Sequence, residues 1–344
     1  MLSKNKLQEF FYRMIDKIGL LEAPKSIQWI STHKCNLSCR HCMVNAGKPL
    51  DDELTTNEVK KFIKDISKMG VQTFFITGGE PLMRTDIFEI LNFANNHRLN
   101  TGIATNGILI QKYKKEIFSS NLNSIMVSLD GLEETHKKIR GSTVDYNELL
   151  DSIKFLRTTK IPKIAVCTTV NKLNFLELNQ LRDLILSLNI DIWKINMILP
   201  RGRAKNNLLL DNHEIKELIK FIKENGDQIK ISVCSEAGYL GNSNKRIRGN
   251  SYFFCSCGWT SCTLMANGDI MACPIYEKNI FIEGNIRRNS FKEIWEKGLK
   301  KFRNISLKDS CSKCQHLPNC GGGCKVMRIL NRDCLIDVLN KKTK

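Results

Sequence analysis

The 344-residue chain has no apolar run approaching the roughly 18 residues that cross a bilayer. Its opening, MLSKNKLQEFFYRM, is charged throughout where a secretory signal would be apolar, so no membrane span and a cytoplasmic location are expected. There is no internal repeat, and no low-complexity block beyond the Lys-rich last four residues. With 42% apolar and 26% charged residues, collagen-like, disordered and mini-protein readings are excluded, and the chain can bury one large core or two ordinary ones. Acid is scarce: 35 Asp and Glu against 53 Lys and Arg leave a formal charge of +18, which points to an acidic partner. Aromatics are few, at 8%, and the basic residues are scattered along helical faces. A non-catalytic iron-sulfur or zinc protein that binds nucleic acid would interleave the two on one face, so that reading is the weaker one and no nucleic acid is expected. Cysteine alone is abundant, with fourteen residues. In a reducing compartment such an excess points to metal ligation or thiol chemistry.

Three cysteines fall within one short stretch, Cys35, Cys39 and Cys42; Cys167 and Cys234 stand alone; the other nine lie between Cys255 and Cys334. Between the clusters, short apolar runs alternate with stretches of helical periodicity. Strands are expected at 27–32, 72–77, 100–105, 124–129, 163–170 and 191–197, separated by helices such as 55–69, 85–97, 146–159 and 175–188. This alternation builds parallel strands joined by right-handed crossovers. The expected class is α/β: a partial (β/α)6 TIM-like barrel with a small cysteine-rich C-terminal domain. The domain plan is an amphipathic helix at 1–24, a barrel at 25–235, a mobile linker at 236–249, a cysteine-rich domain at 250–335 and a basic tail at 336–344.

Functional residues of such barrels gather where strands end. Here the first strand is followed by the three cysteines, the second by Gly78-Gly79-Glu80-Pro81, the third by Asn106-Gly107 and the fourth by Asp130-Gly131. Four adjacent loops of this kind make one rim and one cleft. Three thiols in a loop are informative, because structural zinc and closed clusters take four protein ligands, whereas a 4Fe-4S cluster on three leaves an iron open. At the other end, Cys311-x2-Cys314-x5-Cys320-x3-Cys324 precedes Cys334, and Cys255 and Cys262 lead through an Asn267-Gly268-Asp269 hairpin turn to Cys273. On spacing alone, zinc and iron-sulfur are evenly matched there.

C-x3-C-x2-C after a first strand, with a Gly-Gly-Glu-Pro loop after the second, resembles the radical S-adenosylmethionine (SAM) superfamily over about residues 25–200. The resemblance implies that SAM chelates the open iron through its amino and carboxylate groups. Reductive cleavage then yields a 5'-deoxyadenosyl radical that abstracts hydrogen from a substrate. It makes Gly78, Gly79 and Glu80 the holders of the amino group, which suits an anion and carbonyls. Ser128 and Arg140 become the pair for the carboxylate, with Asn106 and Met197 candidates for ribose and adenine. His41 stands where the family often has an aromatic; it is expected to pack over the cluster and donate to a sulfide, with iron ligation as the alternative.

Residues 250–335 resemble the SPASM extension of these enzymes, which holds two auxiliary 4Fe-4S clusters. The family's ligand pattern gives Cys255, Cys262, Cys273 and Cys324 to one cluster and Cys311, Cys314, Cys320 and Cys334 to the other, with Cys257 a spare able to replace Cys255. Clusters closed in this way would relay electrons. The resemblance implies a radical SAM oxidoreductase acting on a peptide or protein side chain, or, in a smaller branch, a decarboxylase of tetrapyrrole propionates. Both substrates are acidic. Flavodoxin or ferredoxin would be the electron donor. Pro274 replaces the acid that sulfatase-maturing relatives carry after the corresponding cysteine, which weakens that reading. About 25 residues precede the barrel, so leader recognition is expected from a separate protein or the barrel itself. Arg201 and Arg203, on a glycine turn after the sixth strand, are candidates for substrate carboxylates. Bound clusters would bring the net charge to about +13.

Overall fold

The computed structural model of the chain describes residues 22–274 and 281–340. The helix expected over 1–24 lies outside them except for irregular residues 22–24, as do the last four lysine-rich residues. The six expected strands are all present, with bounds within two residues of the sequence reading: β1 (Ser26–Ile30), β2 (Thr73–Thr77), β3 (Asn100–Thr105), β4 (Ser124–Ser128), β5 (Ile164–Val170) and β6 (Ile192–Met197). They pair in parallel and in sequence order, and a short seventh strand, β7 (Ile231–Val233), extends the sheet beyond β6. β7 is only three residues long and ends directly before Cys234.

The helices cover the outer face. In helix Thr56–Lys68 the buried residues Val59, Phe62, Ile63 and Ile66 form one apolar stripe, and a Thr55–Glu58 capping box closes its start. In β6, Trp193 and Ile195 are buried, and the Trp193 ring meets Phe221 of helix Asn212–Asn225 edge-on at 5.8 Å. Alternate residues therefore face the barrel interior. At the strands' carboxyl ends those interior positions are Gln28, Ile30, Thr77, Ala104, Ser128, Thr169 and Asn196, and they line a common cleft.

The cysteine-rich region is not a separate bead. β8 (Ser261–Leu264) and β9 (Asp269–Met271) form the hairpin expected at Asn267–Asp269, and β10 (Ile282–Asn285) pairs with β9. β8 also runs parallel to β1, pairing Cys262 with Ile27, so barrel and C-terminal strands form a single ten-stranded sheet. Helix Phe291–Glu296 reinforces this: Phe291 packs edge-on against Phe62 at 5.2 Å. The stretch expected as a mobile linker is built into the fold through helix Asn244–Arg248. Fully buried Asn244 donates to the carbonyls of Asn250 and Tyr252 at 2.9 Å. Arg248 donates to those of Val233 and Cys234 at 3.1 and 2.8 Å.

Phe62→Ala removes a ring shared by the barrel and the C-terminal region and is expected to cost about 3–5 kcal/mol. In denaturant titrations, tryptophan fluorescence and iron-sulfur absorbance should shift together; a shift in one probe alone would show that the two parts unfold independently.

Candidate active site

The loop leaving β1 is closed by local polar bonds. Thr32 Oγ1 and the His33 N–H donate to the Glu53 carboxylate at 2.8 and 2.7 Å, and the Cys35 N–H donates to Gly47 O at 3.0 Å. The Gly78-Gly79 turn after β2 lies against this loop. A Cβ on Gly79 would fall 2.3 Å from Lys34 O and one on Gly78 2.6 Å from Thr32 O, so only glycine permits the approach.

Each of the three sulfurs meets a donor. The Leu37 N–H points at Cys35 Sγ (3.5 Å), the Ala46 N–H at Cys42 Sγ (3.3 Å) and Arg140 Nη1 at Cys39 Sγ (3.8 Å). Burial pushes the Cys35 thiol up to about 11 and raises Cys39 as well. The thiolate forms therefore need a compensating cation, which the iron of a cluster supplies on binding. Three converging thiols, each with an N–H aimed at its sulfur, fit a 4Fe-4S cluster with one open iron.

Behind Cys39 lies a fully buried carboxylate, Asp130. Its Oδ2 accepts from Arg140 Nε at 2.6 Å and faces His41 Nε2 at 3.1 Å, while Oδ1 accepts from the Thr169 N–H at 2.7 Å. Burial opposes its ionisation, but Arg140 and His41 hold its carboxyl well below the usual carboxylate range. The His136 ring, kept neutral by burial with its pKa lowered to about 3, accepts the Asp130 N–H at 3.0 Å. His41 Nε2 faces Asp130 while its Nδ1 is buried without a hydrogen-bond partner.

Gly78, Gly79, Asn106, Ser128, Arg140 and Met197 all line the cleft containing the three cysteines, a cavity of about 220 Å³. Glu80 does not. Its buried carboxylate accepts from the Leu82 N–H (3.0 Å), Thr105 Oγ1 (2.8 Å) and the Asn106 N–H (2.7 Å), knitting the turn after β2 to that after β3. Asn106 is partly committed as well, donating from Nδ2 to Asn36 Oδ1 at 2.8 Å. Arg203, expected at substrate carboxylates, instead turns into the cysteine loop and donates from Nε to Cys39 O at 2.8 Å. Sequence reasoning missed Glu236, which lines the cleft from the turn after β7. No local motif marks it.

In the C-terminal region the structure brings together Cys255, Cys257, Cys273 and Cys324. The Cys257 thiol is within hydrogen-bonding reach of Cys255 and Cys273 and feels the charge of Cys324. Cys262 is not among them. Paired with Ile27 across the sheet and 2% exposed, it sits in the apolar core, and burial alone shifts its thiol. Cys262, expected beside Cys255, Cys273 and Cys324, stands apart from them because pairing of β8 with β1 turns it into the core, while Cys257, expected only as a stand-in for Cys255, lies among them. Cys320, in turn, feels the charges of Cys334, Cys311 and Cys314. Between Cys320 and Cys324, three consecutive glycines hold φ of 59°, 83° and 65°, a path open only to glycine, and join the two groups.

Cys257→Ala is expected to lower bound iron from about twelve per chain toward about eight, whereas Cys262→Ala keeps the full complement. Iron and sulfide analysis of the reconstituted variants checks this. The reverse pattern would restore the spacing-based assignment.

The Radical SAM superfamily model matches residues 29–185, and that of the SPASM iron-sulfur cluster-binding domain matches residues 255–315. The chain is 27% identical over 326 residues to the AdoMet-dependent heme synthase of Methanosarcina barkeri, covering 89% of this chain and 92% of that protein. It is 25% identical over 320 residues to the mycofactocin maturase MftC of Mycobacterium tuberculosis, covering 88% and 79%. In fold it is similar to Streptococcus suis SuiB bound to S-adenosylmethionine, with TM-score 0.77, 19% identity and coverage of 94% and 79%. SuiB bound to its precursor peptide SuiA gives TM-score 0.76, 18% identity and coverage of 96% and 78%. With its three-cysteine cleft, its parallel barrel and its C-terminal thiol groups, the chain belongs to the radical SAM superfamily, in the branch that carries a SPASM domain.

Proposed function

We propose that this radical SAM enzyme modifies a side chain of a peptide or protein, by crosslinking or oxidation, with its auxiliary clusters relaying electrons. The observation that carries the substrate class is the charge lining of the cleft. Among the described residues that line it, the guanidiniums are Arg140 and Arg203, the first paired with Asp130 and the second bonded to loop carbonyls, and the carboxylate is Glu236. With Arg140 proposed for the SAM carboxylate, a substrate with several carboxylates would meet Arg203 already bonded and Glu236 repelling it, whereas a neutral side chain meets Gln28, Thr77, Thr169 and Asn196. MftC is a maturase, and SuiB has been solved with a precursor peptide, which supports the same reading.

When bound, the open cluster and SAM supply a hydrogen-abstracting radical. The chain's own part is orientation and exclusion of water. Ser128 and Arg140 are proposed to hold the SAM carboxylate, the Gly78–Gly79 carbonyls its amino group, and Asn106 and Met197 its nucleoside end. The net positive charge suits an acidic electron donor such as flavodoxin or ferredoxin.

A second reading, decarboxylation of tetrapyrrole propionates, is favoured by the similarity to the heme synthase, which the match spans over 92% of its length. The two separate in one assay. The reconstituted, reduced chain is given SAM together with either a short precursor peptide encoded beside its gene or an iron-coproporphyrin. The expected outcome is a mass change on the peptide with the porphyrin intact. Loss of carboxyl groups from the porphyrin with an unchanged peptide would establish the second reading.

A further inference from the structure

The turn after β6 is directed at the cysteine loop. Gly202 has φ of 56°, and a Cβ there would fall 2.1 Å from Cys42 O and 2.5 Å from Met43 O. The Arg203 N–H donates to Cys42 O at 2.9 Å. Its guanidinium reaches further, Nε to Cys39 O at 2.8 Å and Nη1 to Ala46 O at 2.7 Å. One residue thus satisfies three carbonyls of a loop segment that has no helix or strand of its own, where unpaired acceptors would be costly. The loop carrying Arg203 is seated independently by a small apolar cluster of Ile198, Ala204, Leu208 and Leu209.

We propose that Arg203 is a positioning residue for the SAM-binding cluster. Its forked guanidinium clamps the Cys39–Ala46 half of the loop, Gly202 permits the close approach, and its charge favours the reduced, more anionic state of the cluster. A guanidinium can reach two carbonyls at once, which an ammonium on a flexible stem cannot. A cation bonded to the loop that carries the ligands stabilises an added electron nearby. The inference rests on the family assignment and is independent of the substrate.

The test uses the full reconstituted chain as wild type, R203K, R203Q and G202A. Readouts are bound iron, the electron paramagnetic resonance spectrum of dithionite-reduced protein with and without SAM, and the midpoint potential of the SAM-responsive signal. Only the cluster with an open iron responds to SAM, so the auxiliary clusters serve as internal controls. R203K keeps the charge but loses the fork; it is expected to retain the potential while its SAM-responsive spectrum changes. R203Q loses the charge and is expected to move the potential to more negative values. G202A is expected to lose about four of about twelve irons while keeping the auxiliary signals. A wild-type SAM response in R203K would overturn the clamp, and a wild-type potential in R203Q would overturn the role of the charge. Iron loss spread over all clusters in G202A would count against a local role for the turn.

Discussion

Negative charge has to be gathered in a cleft that excludes water, and the rest of the molecule answers that constraint. Three cysteines that must become thiolates sit beside the buried carboxylate of Asp130, with the buried Glu80 carboxyl close behind. Each such group costs several kcal/mol to bury alone. Compensation comes from loops far apart in sequence: Arg140 at the end of its helix, Arg203 after β6, the Thr169 N–H on β5 and the N–H groups of the cysteine loop itself. Parallel strands bring these loops to one rim, so the barrel solves an electrostatic problem as much as a packing one.

The continuous sheet carries that solution into the C-terminal region. Because β8 adds to the open edge of β1, the hairpin carrying Cys273 is held in register with the strand that launches the cysteine loop. Pro274, the next residue, lines the cleft, and the Glu236 carboxylate is felt by Cys324. The first auxiliary thiol group therefore adjoins the reaction space, and the glycine run after Cys320 ties it to the second group.

Much of this was legible in the sequence because it depends on local pattern. Strand periodicity, the glycine turns and the three-cysteine spacing each reflect a constraint within a few residues. What stayed hidden depends on long-range geometry. Spacing offered Cys257 only as a stand-in for Cys255, and nothing local shows that β8 pairs with β1 and carries Cys262 into the core. Glu80 has the right chemistry for an amino group, but three donors from neighbouring turns capture its carboxylate. Arg203 presents as a surface arginine until the fold places Cys39 O and Ala46 O within reach. Buried Asn244 shows the same for the supposed linker, whose polarity serves internal hydrogen bonds and not solvent.

The central claim is that the three-thiol cleft holds a cluster able to cleave SAM. The most direct measurement is 5'-deoxyadenosine formation by the reconstituted, chemically reduced chain, beside a variant in which Cys35, Cys39 and Cys42 are all alanine. The expected result is 5'-deoxyadenosine from the wild type and none from the variant, with the variant's auxiliary iron retained. Absence of 5'-deoxyadenosine from wild-type protein with a full iron complement would contradict it.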